Sequence, residues 1–395
     1  MATPKLIRHI HQAQALQLLK EHGELSRAEF ARYLQLNRAS VTHLAGDLIK
    51  QGLIIETGEA FVTQATGRPG VGLKLNPDGA LFFGIRIGKE AIDLVVINLA
   101  GAIVHRDRLR LDSDLRPQTV LNKLFTLINN TWTHRFDRTE RIRGAGIAIA
   151  ALLGNDGIVR AAPLMGWRDV EILPALRAAL PFPVIADNDA NAAALAELSF
   201  GSCIGESHVA LFHLDVGVGA GLILGGRIYR GANGFAGELG HLAFNPRSIG
   251  KPEGKGFLET KLGKEELLKA YHAASGKHTS LNGLIKKLER NEAAAIQVTK
   301  LWSQWLGVAI RNMADLFDPA KIVLAGPLST LYRWAEKDVL SSLHSRRFPT
   351  VESLQIIVSP LGEECSTLGG AALAYSATFS LPNVGSNGPV QEAKF

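Results

Sequence analysis

The residues of this chain best suited to chemistry fall in two short groups. Asp187-Asn188-Asp189-Ala190-Asn191 lies where an apolar run ending at Ala186 gives way to a helix of small residues over 192–198. Carboxylates and amides at such a strand-to-helix turn can hydrogen-bond a hydroxylated ligand, and Asp189 could act as general base toward one hydroxyl. The same pattern also makes an Asx-rich helix cap. Gly234-Phe235-Ala236-Gly237-Glu238-Leu239-Gly240-His241 presents a carboxylate and an imidazole three residues apart in a glycine-rich loop, and Glu259 follows in Gly256-Phe257-Leu258-Glu259-Thr260. Isolated polar groups on glycine loops suit a small polyol better than a core.

The elements that must position these groups alternate between short apolar runs and longer helical patterns. Strands are expected over 81–87, 91–99 and 103–111, then a helix over 117–134, a strand over 142–150, a helix over 171–180 and a strand over 183–186. The second half repeats the plan: strands over 208–214 and 221–224, a long helix over 293–317, strands over 321–325 and 354–358, and a closing small-residue helix over 369–378. Two such halves predict a bilobal α/β body with a ligand cleft between the lobes.

Ahead of this body, residues 26–53 read as a helix-turn-helix. Ser26 and Glu29 form an S-x-x-E capping box for a helix ending near Leu34. Asn37 can cap a second helix, in which Val41, Leu44, Ala45, Leu48 and Ile49 make one apolar stripe. The other face offers Arg38, Ser40, Thr42 and His43 near the helix start, where recognition helices meet DNA. Arg38 suits bidentate reading of guanine, while Ser40 and Thr42 suit phosphate contact; His43 is equally suited to a solvated role. A helix over 6–21 supplies the third member of the bundle. Residues 53–56 and 60–63, separated by Thr57-Gly58-Glu59, suggest a hairpin wing. The stiff, basic Thr66-Gly67-Arg68-Pro69-Gly70 either carries Arg68 to a minor groove or backbone, or is a plain linker. An ordinary helical hairpin is the bland alternative for the whole segment.

At 395 residues the chain exceeds one typical domain. With 46% hydrophobic and 20% charged residues it can bury sizeable cores, which excludes a disordered chain. A net charge of +6 permits nucleic-acid contact without demanding it. Cys203 and Cys365, the only cysteines, lack metal-knuckle spacing, and no run approaches the roughly 20 apolar residues of a membrane span. The expectation is a cytoplasmic protein with no membrane partner.

Together these segments resemble the ROK family (repressors, open reading frames and kinases). The resemblance rests on Asn188 to Asn191 (NDAN), Val216 to Gly221 (VGVGAG), Ala236 to His241 (AGELGH) and Gly256 to Thr260 (GFLET). It implies an α/β fold: an N-terminal winged helix-turn-helix plus a bilobal actin/hexokinase-like body. It also implies that Asn188, Asp189, Glu238, His241 and Glu259 line a sugar pocket, with Asp189 at the position of the kinases' catalytic base. The expected division is a DNA-binding domain over 1–63, a linker over 64–79, lobes over 80–200 and 201–380, and a flexible tail over 381–395.

The departures from the family pattern point away from catalysis. Where its kinases carry an Asp-x-Gly-x-Thr-like phosphate loop, this chain has Arg86-Ile87-Gly88-Lys89-Glu90. A carboxylate such as Glu90 at contact distance from a phosphate is repelled by on the order of several kcal/mol. Asp215 and Val216 stand where Gly and Thr are usual, and Ala325-Gly326-Pro327-Leu328 replaces a more open Gly-Gly turn. The family's structural zinc is commonly held by the AGELGH-type histidine and three cysteines. The matching segment 250–257 has none, so no metal and no cofactor is expected, with Phe257 packing inward as one replacement. The resulting expectation is a non-enzymatic transcriptional regulator, most simply a repressor. It would bind a palindromic operator as a homodimer or homotetramer and respond to a sugar or sugar derivative; an active sugar kinase that also binds DNA is the alternative.

Overall fold

Ser26 begins the first helical unit by the reciprocal bonding that its spacing from Glu29 dictates. In the computed structural model, which describes residues 4–61, 70–135, 141–242, 255–344 and 354–379, Glu29 N donates to Ser26 Oγ at 3.2 Å and Ser26 N to Glu29 Oε2 at 2.8 Å. The unit comprises α1 (Pro4–His22), β1 (Glu24–Ser26), α2 (Arg27–Leu34) and α3 (Arg38–Lys50). Asn37 Oδ1 accepts from Ser40 N at 2.8 Å and caps α3. Val41, Leu44, Ala45 and Leu48 are buried with Leu16, Leu19 and Phe30 in one core, and Ile49 packs at its edge.

The wing differs from the expected hairpin. β2 (Ile54–Phe61) runs through Thr57-Gly58-Glu59 as an irregularity in the strand, and it pairs antiparallel with β3 (Gly70–Leu75). β1 adds to the far side of β3. The cause is burial: Leu73, wholly buried in the helical core, anchors a return strand that local turn chemistry around Gly58 could not reveal. Residues 70–75, expected in the linker, therefore belong to this sheet, and β1 was not foreseen. Arg68 and the tail lie outside the described residues.

Two five-stranded sheets follow. The first lobe holds β4 (Leu81–Ile87), β5 (Ala91–Asn98), β6 (Ile103–Arg110), α4 (Pro117–Arg135), β7 (Ile142–Ile149), β8 (Leu152–Leu153), β9 (Val159–Ala162), β10 (Trp167–Val170), α5 (Ile172–Ala179), β11 (Val184–Asn188) and α6 (Asp189–Phe200). The second holds β12 (His208–Leu214), β13 (Val218–Leu224), β14 (Arg227–Ile228), α7 (Glu259–Leu262), α8 (Lys264–Ser275), α9 (Leu281–Glu289), α10 (Ala293–Phe317), β15 (Lys321–Ala325), α11 (Tyr332–His344), β16 (Gln355–Val358) and α12 (Cys365–Phe379). Read from one edge the strand orders are β6-β5-β4-β7-β11 and β14-β13-β12-β15-β16. Each sheet is thus an antiparallel meander whose first strand pairs in parallel with one later strand, which pairs in parallel with the last. The plan is duplicated.

The closing helices exchange partners. α6 follows the first sheet yet packs on β12 and β13, while α12 follows the second sheet and packs on β4 and β7. The two helices cross at the centre of the molecule. Their alanine- and glycine-rich sequences make this possible, since helices bearing tiny side chains can approach backbone to backbone. α12 also reaches the N-terminal unit: Lys20 of α1 lies over the Tyr375 ring at 4.9 Å. Among the described residues no helix is long and apolar enough to cross a membrane.

Candidate ligand cleft and DNA-reading face

β11 runs on through Asn188 and α6 begins at Asp189, three residues before the expected helix start. Asn188 is the cap, its Oδ1 accepting from Ala190 N at 2.8 Å while its Nδ2 donates to Ala151 O at 3.0 Å. The cap and ligand readings of this segment are therefore compatible, because the cap uses one lone pair and one hydrogen of the Asn188 amide and leaves the Asp189 carboxylate on the first turn. Asp189 as a whole is 8% exposed and its side chain 11%. His213 of β12 faces it, with Nδ1 3.7 Å from Asp189 Oδ2 and Nε2 2.9 Å from Ser366 Oγ at the start of α12. His213 and Ser366 were missed in the sequence. Their only signal was a lone histidine in the apolar strand Phe212-His213-Leu214, which reads equally well as core.

The glycine loop is laid along β13. Gly237 has φ +92°, and a Cβ there would meet Ala220 O at 2.0 Å, so only glycine allows this approach. The loop delivers Glu238, whose carboxyl is pushed up to about 7, first by burial and then by the negative charges of Asp189 and Glu259. Three of the expected residues thus share one electrostatic neighbourhood. Glu259, first residue of α7, accepts from Gly256 N at 2.8 Å and lies 3.8 Å from His241 Nε2. Such a ring of carboxylates around polar, partly buried space suits the hydroxyls of a polyol.

The residues present do not fit the family's zinc. Cys203 and Cys365 are buried elsewhere, beside Ser202 and Ala193 O, and residues 250–254 lie outside the described residues. Phe257 is half-buried and packs edge-on against Trp305, ring centroids 5.2 Å apart.

Charged side chains meet between Arg86 and Asp215. Arg86 Nη2 donates to Asp215 Oδ2 at 3.1 Å, and Lys264 Nζ donates to Asp215 Oδ1 at 2.7 Å. Burial pushes the Asp215 carboxyl up, but Lys264 and Arg86 outweigh it and hold the group below the usual carboxylate range.

On α3, Arg38, Thr42 and His43 are exposed and Ser40 is half-buried. Thr42 Oγ1 donates to Arg38 O at 2.9 Å, a bond its hydroxyl must exchange in order to donate to a phosphate. Ser40 and His43 border a groove shared with Ile7, Arg8 and His11 of α1, and Arg8 is paired with Asp47 at 2.5 Å. Gly46 and Lys50, also exposed on α3, were not singled out in the sequence.

A putative xylose repressor of Caldicellulosiruptor sp. (strain Rt8B.4) is 29% identical over 401 residues, spanning 97% of this chain and 100% of that one. The solved structure of a ROK family transcriptional regulator, described as a homolog of the E. coli MLC protein, matches with a TM-score of 0.82 at 25% identity over 94% of this chain and 97% of its own. A ROK family glucokinase from Streptomyces griseus, solved with glucose and AMPPNP, matches with a TM-score of 0.66 at 22% identity, covering 75% of this chain and 100% of its own. The regulators match through the N-terminal unit as well as the lobes, and the family model "ROK family" matches residues 82–377. This chain belongs to the ROK family.

Proposed function

We propose that this chain is a DNA-binding transcriptional repressor of genes for sugar uptake or breakdown, acting in the cytoplasm. A monosaccharide in the interlobe cleft sets its grip on DNA and is not phosphorylated there. Asn188, Asp189, Glu238, His241 and Glu259 hold the sugar. Arg38 reads bases, Ser40 and Thr42 contact phosphate, and His43 and Arg68 lie along the same face. The named relative makes xylose the first sugar to try.

The observation that carries this reading is the Arg86–Asp215 ion pair. Metal-assisted phosphoryl transfer needs cations and backbone amides turned toward the phosphates. Here a carboxylate claims the cations, while the polyol side of the cleft keeps its full set of polar groups. Regulation then follows from linkage: a sugar that favours one lobe arrangement changes DNA affinity, and DNA changes sugar affinity by the same factor. A two-fold dimer would set two α3 helices on a palindromic operator.

Gel shifts with DNA from upstream of the protein's own gene test the DNA half. A specific complex with steep salt dependence is expected, and D-xylose, D-glucose or N-acetylglucosamine should move its midpoint. Absence of any complex at low salt would remove the DNA half. Calorimetric silence from every sugar would remove the effector half. The kinase reading draws support from the intact Asp189. A coupled assay with magnesium-ATP separates the two, since turnover that disappears in Asp189→Ala would establish a kinase.

A further inference from the structure

Arg86 and Asp215, which the sequence shows as two unrelated departures from a phosphate site, are partners in space. Arg86 lies near the carboxyl end of β4 and Asp215 directly follows β12, the central strands of the two sheets. Open α/β sheets bind ligands at the carboxyl ends of their strands. At this position the protein supplies its own counter-charges. Lys264 orients Asp215 from within the second lobe, through its ammonium group and through its backbone N, which donates to Asp215 O at 2.9 Å. Arg86 reaches across from the first lobe, with Asp93 Oδ2 3.6 Å behind its guanidinium. Asp93 is in turn met by the exposed Arg108, whose Nη1 lies 3.4 Å from Asp93 Oδ1. A second pair, Lys89–Glu265 at 3.9 Å, crosses beside the Arg86–Asp215 pair.

We propose that Arg86, inserted against Asp215 and Lys264, is an ionic clasp that fixes the angle between the lobes in the empty cleft. A nucleotide bridging the strand ends would otherwise do this. The side chains of Arg86, Asp215 and Lys264 are 22%, 16% and 24% exposed. That is buried enough to be held in one geometry and wet enough to part without stranding a charge in the interior. The clasp is therefore releasable. The inference rests on the reading of this cleft as one that has given up nucleotide.

Spin labels on the full chain, at Asn122→Cys in α4 and Lys286→Cys in α9, report the lobe separation without any ligand. Both positions are exposed, and Cys203 and Cys365 are buried. Asp215→Asn and Arg86→Met should each shift the distance distribution to longer, broader values, and the double variant should shift no further than either single one. Arg86→Lys, which keeps the charge, should remain near the parent and also checks that substitution here permits folding. Unchanged distributions in both single variants overturn the clasp, and so does a double variant that shifts by the sum of the two. Titrating D-xylose and D-glucose into the same labelled protein tests the sugar reading separately. Silence from both sugars removes that reading, while a shift caused by Asp215→Asn still stands.

Discussion

Asp187 and Arg230 meet across the cleft: Asp187 Oδ2 accepts from Arg230 Nε at 2.8 Å and from Nη2 at 2.6 Å. The other oxygen accepts from Asn188 N at 2.8 Å and from Asn191 Nδ2 at 3.0 Å. Asp187 thereby spends its acceptors inside the protein and shapes the turn that carries Asp189, rather than touching a ligand. Asp187→Ala frees Arg230 and leaves the buried Asn191, whose Oδ1 already lacks a partner, with no fixed amide. The expected result is a loss of roughly 1–3 kcal/mol in urea unfolding, together with weaker sugar binding. Lost sugar binding at an unchanged unfolding midpoint would instead put Asp187 on the ligand.

Glu238 gives the molecule a defined pH response. Its folded-state pKa of about 7 lies above the ordinary carboxylate value, so between pH 4.5 and 7 the folded chain holds a proton that the unfolded chain has released. Stability should therefore fall as pH rises through this window and level off above it. At about 1.4 kcal/mol per pH unit the fall is a few kcal/mol at most. Glu238→Gln, neutral throughout, should flatten this part of the curve in urea titrations from pH 5 to 8. An equally steep fall in Glu238→Gln would assign the effect to another group.

How much of this was legible in the sequence depended on range. The capping box of Ser26 and Glu29 and the cap at Asn37 act within four residues, and both were readable. The strand-to-helix turn at the NDAN segment was readable, yet its helix start was misplaced because Asp189 and Asn191 rank as poor helix formers until a cap at Asn188 compensates. Non-local relations left no trace. β3 is drawn to β2 by burial of Leu73, and Arg86 finds Asp215 at a separation of 129 residues. His213 looked like an ordinary strand residue because Ser366, which fixes it, lies 153 residues away. The duplicated sheet order is a property of pairing, which periodicity does not encode.

The DNA face can be sorted by salt. Arg38, exposed at the first position of α3, is assigned to a base, whereas Lys50 near the last turn is suited to phosphate. Arg38→Ala should cost about 1–3 kcal/mol on the specific site and relax base preference at one position. Lys50→Ala should weaken all sequences alike and lower the slope of log affinity against log salt by about 0.9. If Arg38→Ala lowered affinity for specific and random DNA by the same factor, the base-reading role would belong elsewhere on α3.

Gly369 tests whether the crossing of α6 and α12 holds the ligand site in place. A Cβ at this position would meet Ala192 C and O at 2.2 Å and Ala193 N at 2.8 Å, all backbone of α6. Backbone cannot rotate aside as a side chain can, so Gly369→Ala must push the helices apart. Overpacking of this kind costs about 1–3 kcal/mol, and it outweighs the helix propensity gained on replacing glycine. Because α6 begins at Asp189 and α12 carries Ser366, the shift should also loosen the His213 contact and weaken sugar binding. DNA affinity in the absence of sugar, which depends on the N-terminal unit, should change less. Thermal unfolding, sugar titration and gel shift on the one variant read these three effects separately, and a more stable Gly369→Ala protein would show that the helices do not meet as described.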